Sequence, residues 1–137
     1  MPAAAALQSP WTDLAGTVES RTSREALDPL FTGAGLNALA NVYAGTTEKD
    51  NPLLSPLYAD LRGFPPLRLD VGSDEVVLDD SRQFAERARA AQVPIELMIW
   101  EEMWHVFQFF SFNLPEGRES LEQIGTFLRR QTGLSSD

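Results

Sequence analysis

The chain has 137 residues, of which 43% are hydrophobic and 23% charged, the profile of one folded globular domain rather than a disordered chain. Eleven Lys and Arg stand against 20 Asp and Glu, a net charge of -9 that disfavours nucleic acid and anionic membrane as partners. There is no cysteine and only one histidine, so disulfides, thiolate chemistry and any metal site needing two His ligands are excluded within one chain. No apolar run approaches the length of a membrane span. The start, Met1 to Leu7, lacks a basic region ahead of an apolar one, so a cytoplasmic location is the default expectation.

Ala3 to Leu7 reads as a short buried strand, because a turn signal at Ser9-Pro10 follows it closely. It looks central to a sheet rather than an edge. Residues 14–31 are irregular, with a short helix around Arg24 to Leu27 before Pro29. Thr32 is placed to cap a helix carrying Leu36, Leu39, Ala40 and Tyr43 and ending near Gly45. Residues 46–66 hold Pro52, Pro56, Pro65 and Pro66 and read as loop. Leu67 to Val71 alternates as a strand. A helix from about Asp79 to Ala91 has Val77, Phe84, Ala85 and Ala88 on its inner side. Ile95 to Trp100 alternates as the clearest strand. A helix from about Leu114 to Arg130 has Asn113 as its cap and Leu121, Ile124 and Leu128 as its stripe.

Strands separated by helical crossovers define an α/β chain with a three-stranded parallel sheet and flanking helices. So small a parallel sheet normally needs more neighbours, which suggests part of a larger fold.

Two side chains stand where a parallel sheet presents its ligand crevice, beyond the C-terminal ends of strands. Asp74 follows the second strand, with Glu75, Asp79 and Asp80 as competing acids; the last two suit a helix start. His105 follows the third strand, 31 residues beyond Asp74. Adjacent strands lie roughly 5 Å apart, close enough for a carboxylate–imidazole hydrogen bond. The plain alternatives are a turn Asp and a His packed among Trp104, Phe107, Phe109 and Phe110. The phenylalanine-rich run Val106 to Phe112 suits core, a cleft wall or both. No Gly-x-Ser-x-Gly elbow, His-Gly-Gly-Gly run, dinucleotide fingerprint or phosphate loop occurs.

Five landmarks in order carry a resemblance: Ser9-Pro10-Trp11-Thr12-Asp13-Leu14, Asn51 to Leu61, Gly63-Phe64-Pro65-Pro66-Leu67, Val71 to Val76, and Met103-Trp104-His105-Val106-Phe107. They resemble the C-terminal portion of bacterial hormone-sensitive-lipase-like esterases of the α/β-hydrolase fold. The resemblance covers nearly the whole chain. It implies that Asp74 is the acid and His105 the base of a Ser-Asp-His triad, that residues 20–45 belong to a cap, and that the strands are the last three of eight. It implies a carboxylic ester substrate, no metal or organic cofactor, and dimerisation through Ile95 to Trp100. The serine and the oxyanion-hole glycines would lie upstream of Met1. The chain alone is therefore expected to be inactive toward esters, as a truncated product or fragment, or as one half of a split enzyme whose complementing chain carries the nucleophile. The alternative is a non-catalytic oligomerising or ligand-binding module derived from the same fold.

Overall fold

In a computed structural model describing residues 1–133, three strands form one parallel sheet in the order β1-β2-β3. They are β1 (Ala5–Gln8), β2 (Leu67–Gly72) and β3 (Ile95–Trp100). Four helices accompany them: α1 (Ser20–Ser23), α2 (Gly33–Ala44), α3 (Leu78–Ala90) and α4 (Pro115–Thr132). Short 3-10 turns occupy Pro56–Tyr58 and Phe107–Phe110. Ala5 pairs with Leu67 and Leu67 with Ile95, so all three strands point their C-terminal ends the same way.

The period of two along β2 sorts its side chains onto two faces. Leu67 and Leu69 join Leu57, Leu61, Phe84, Ala88 and Val93 in the main core, under α3. Each leucine, valine or phenylalanine among them contributes about 1.5–3 kcal/mol when fully buried. Arg68 and Asp70 are buried on the other face, where α4 covers them through Ser120 and Gln123. A strand buried on both faces suits a central position, and β2 holds it.

Several expectations shift in register. The first strand begins at Ala5 and runs to Gln8, at one end of the three strands present. A groove of about 400 Å³ beside it is lined by Ala5, Leu7, Phe64, Leu67 and Phe84. Helix α1 starts earlier than expected because Ser20 is pinned: its backbone N–H donates to Asp79 Oδ2 at 2.9 Å and its hydroxyl donates to the Val76 carbonyl at 2.9 Å. Thr32 caps α2 as expected, its hydroxyl accepting from Gly35 N at 3.0 Å. Asn113 does not cap α4. Leu114 takes that place without a side-chain bond, and Pro115 supplies a preset φ in the first turn. The buried face of α4 is Gly117, Ser120, Ile124 and Phe127, while Leu121 is exposed. Gly117 sets that rotation, since a Cβ there would lie 3.1 Å from Ser111 Cα and 3.3 Å from the Phe107 carbonyl oxygen.

Asp80, at the start of α3, ties the segment after β1 to the helix. Its Oδ1 accepts from the backbone N–H groups of Thr12 and Asp13, each at 2.8 Å, and Arg21 lies 3.2 Å from its Oδ2. Burial pushes its carboxyl up to about 6, against the opposing pull of Arg21 and the two backbone donors. A folded-state value above the unfolded 3.8 means that the native chain holds the extra proton between these limits. This group's favourable contribution is therefore complete below about pH 3.8 and is lost as pH rises through about 6. The window is worth about 3 kcal/mol. Urea titrations across it should show Asp80→Asn removing that part of the pH dependence.

Candidate active site

The sheet places two connections side by side at its C-terminal edge. Residues 73–77 lead from β2 into α3, and residues 101–106 leave β3. The connections are stitched together: Ser73 N donates to the Trp100 carbonyl at 2.8 Å, Asp74 N to the Met103 carbonyl at 3.1 Å, and Glu102 N to Ser73 Oγ at 2.8 Å. Gly72 permits this approach. A Cβ on it would fall 2.0 Å from the Met103 carbonyl oxygen, which no side chain tolerates. Gly72→Ala is expected to push the 101–106 loop away and lower the thermal midpoint by several degrees, a scale fitting about 1–3 kcal/mol of overpacking. Differential scanning calorimetry measures it.

His105 is brought into a carboxylate pair, but its partner is Glu75 rather than Asp74. Glu75 Oε2 lies 2.9 Å from His105 Nδ1. Glu75 is fully buried, whereas the His105 side chain keeps 19% of its surface exposed. The other carboxylate oxygen, Oε1, accepts from Gly72 N at 2.5 Å and from Ser9 Oγ at 2.7 Å. Three donors thus meet the acceptor demand of a buried carboxylate. Asp74 sits one residue nearer the strand, half-buried, and its Oδ1 accepts from Ser73 Oγ at 3.1 Å. It forms no hydrogen bond with His105 among the described residues. Glu75, not Asp74, is the carboxylate bonded to His105, and its other oxygen is held by Gly72 N and Ser9 Oγ.

Asp79 and Asp80, the remaining competitors, serve the start of α3 and its attachment to residues 12–20. The phenylalanine run divides: Phe107 is buried against Trp100 with ring centroids 5.6 Å apart, while Phe109 and Phe112 are 78% and 73% exposed. Phe31, from the segment before α2, meets the His105 ring edge-on at 4.8 Å. Asp28 fastens that segment by accepting from Val76 N at 3.0 Å. Ser9 and Phe31 were not singled out by the sequence as parts of the site. A serine next to a strand end was the only signal for the first, and the second had none.

The His105 Nδ1 bond fixes the ring so that Nε2 is left without a partner among the described residues. An imidazole backed by a buried carboxylate, with its far nitrogen free, accepts a proton from one group and returns it to another. No cluster of three or more His, Asp or Glu suited to a metal occurs among the described residues. No described helix is long and apolar enough to cross a membrane.

Residues 1–109 match the model of a family described as having the alpha/beta hydrolase fold. The chain belongs to that family, on its hormone-sensitive-lipase-like esterase branch. It is 44% identical over 133 residues to an acetyl-hydrolase of Streptomyces hygroscopicus, covering 97% of this chain and 44% of the relative. It is 36% identical over 128 residues to an esterase of Acinetobacter venetianus, covering 93% and 42%. Among solved structures, an esterase from the bacterial hormone-sensitive lipase family superposes with a TM-score of 0.94 at 43% identity, covering 98% of this chain and 45% of that one. The chain thus spans under half the length of these relatives and corresponds to their C-terminal part.

Proposed function

We propose that this chain supplies the acid and base of a carboxylic ester hydrolase, with Glu75 as the acid and His105 as the base. The observation that carries this reading is the 2.9 Å Glu75–His105 contact at the C-terminal edge of the sheet, with Nε2 free. The nucleophilic serine and the oxyanion donors lie outside these 137 residues, which hold no Gly-x-Ser-x-Gly. In the acylation step the serine hydroxyl attacks the ester carbonyl and its proton passes to Nε2. The imidazolium, held by the Glu75 carboxylate, then gives that proton to the departing alkoxide, leaving an acyl-serine. Water repeats the sequence in deacylation, and the serine is restored. The name of the Streptomyces relative supports small acyl groups such as acetyl. Phe31 against the histidine supports a cap role for residues 20–45.

The test is hydrolysis of p-nitrophenyl acetate by this chain mixed with the nucleophile-bearing N-terminal part of a family esterase. The chain alone is expected to match the buffer rate, the mixture to turn over, and His105→Ala to abolish turnover. Retained turnover in that variant removes His105 from the mechanism. The exposed Phe109 and Phe112 and the apolar groove beside β1 favour a second reading, a non-catalytic assembling module. A stable complex that stays inert, or a monodisperse homo-oligomer that excludes the complementing part, supports the module instead.

A further inference from the structure

We propose that Ser9 is a positioning residue for the acid–base pair, acting through its hydroxyl on Glu75 and on the histidine loop at once. This inference rests on the reading of Glu75 and His105 as acid and base.

Ser9 follows β1, and its backbone N–H continues the parallel ladder by donating to the Asp70 carbonyl at 2.8 Å. Its φ is +48°, in the left-handed region that a non-glycine residue seldom adopts. The next residue is Pro10, and a proline further disfavours helical backbone in the residue before it. Glycine would meet the local backbone demand with less strain. What serine adds is one oxygen, and in the buried side chain that oxygen both donates and accepts. The hydroxyl donates to Glu75 Oε1 at 2.7 Å and accepts from Val106 N at 3.0 Å.

The geometry of those two bonds gives the hydroxyl its role. Glu75 reaches His105 with Oε2, so the orientation of the carboxylate plane depends on what holds Oε1. Gly72 N and Ser9 Oγ hold it. Val106, the residue bonded from the other side, directly follows His105 and has a φ of +51°. One hydroxyl therefore ties the acid to the backbone adjoining the base, and it does so from β1, a third element. A side chain held in a disfavoured conformation while joining two reacting partners is a mark of preorganisation. Strain alone would not identify it; the paired bonds do.

The single histidine makes a direct test possible. In the chain alone, the His105 Nδ1–H proton and its tautomer are read by 15N-edited NMR without any ester hydrolysis. Ser9→Gly removes the hydroxyl and relieves the backbone, so the fold survives while the pair loosens. Exchange of the Nδ1–H with solvent should accelerate at least about tenfold, the scale of one lost hydrogen bond. Ser9→Ala, which keeps the backbone demand, should give the same acceleration while folded, as judged by circular dichroism. If both folded variants show parental exchange and tautomer, the positioning role is overturned. In the complemented assembly, Ser9→Gly should lower kcat with KM close to parental. An unchanged kcat there overturns the role of Ser9 and leaves the esterase reading intact. Accelerated exchange beside a wild-type complex that never hydrolyses ester supports Ser9 and overturns the esterase reading.

Discussion

In an assembly that restores ester hydrolysis, Glu75→Gln is expected to reduce kcat by about 10³–10⁴-fold, the scale seen when a triad acid becomes an amide. Asp74→Asn should leave kcat close to the parental value. The two residues are neighbours, so any general effect of removing charge from this turn is common to both. Only Glu75 holds Nδ1, at 2.9 Å. The amide oxygen at that place still accepts from Nδ1–H, so the ring tautomer is retained if the amide group sits one way and lost if it sits the other. In either case the negative charge that stabilises the imidazolium is gone. In the variant, the Oε1 position also faces two donors, Gly72 N and Ser9 Oγ, and an amide NH₂ there would oppose the first of them. The amide is thus steered to place its oxygen toward Gly72 and its nitrogen toward His105, the orientation that forces the wrong tautomer. Steady-state kinetics on both variants separates the candidates. A large loss in Asp74→Asn with none in Glu75→Gln would restore Asp74 as the acid.

What the sequence discloses and what it hides follow from the range of the interactions involved. The strand Ile95 to Trp100 is legible to the residue because alternation is a local property. Thr32 is legible as a cap because the bond it makes spans three residues. The sequence also places carboxylates and the imidazole beyond adjacent strand ends, where Glu75 meets His105 at 2.9 Å. It does not disclose which of two consecutive carboxylates faces the histidine. That depends on the sharp turn after Gly72, whose geometry is enforced by Met103, a residue on another strand's connection. The stripe on α4 misleads for a similar reason. Leu121 fits the period, but the close backbone approach at Gly117 turns the helix so that Phe127 is buried instead. The alternation of Leu67 to Val71 shows Arg68 and Asp70 sharing one face of the strand, and the coverage by α4 through Ser120 and Gln123 makes that face interior.

That buried pair carries the largest expected stability effect. Asp70 accepts four hydrogen bonds: Arg68 Nε at 2.7 Å, Arg68 Nη2 at 3.1 Å, Trp100 Nε1 at 2.9 Å and Ser120 Oγ at 3.1 Å. One carboxylate therefore joins β2, β3 and α4. Asp70→Ala leaves the buried Arg68 guanidinium beside an apolar gap, the Trp100 indole without its acceptor, and the Ser120 hydroxyl with only the bond it accepts from Gln108 Nε2. Breaking one side of a buried ion pair costs about 3–5 kcal/mol. Arg68 retains Glu96, half-exposed at 3.4 Å, and Gln123 at 2.8 Å, which limits the loss but does not cancel it. Urea unfolding of the chain should show the midpoint falling with an unchanged slope. The double variant Arg68→Met with Asp70→Leu should recover part of that loss, since no lone charge remains inside. If the single and double variants unfold at the same urea concentration, the cost lies in the Trp100 and Ser120 bonds and not in the stranded guanidinium. Because Trp100 ends β3 immediately before the loop that carries His105, the same Asp70 carboxylate anchors the strand from which the base is hung.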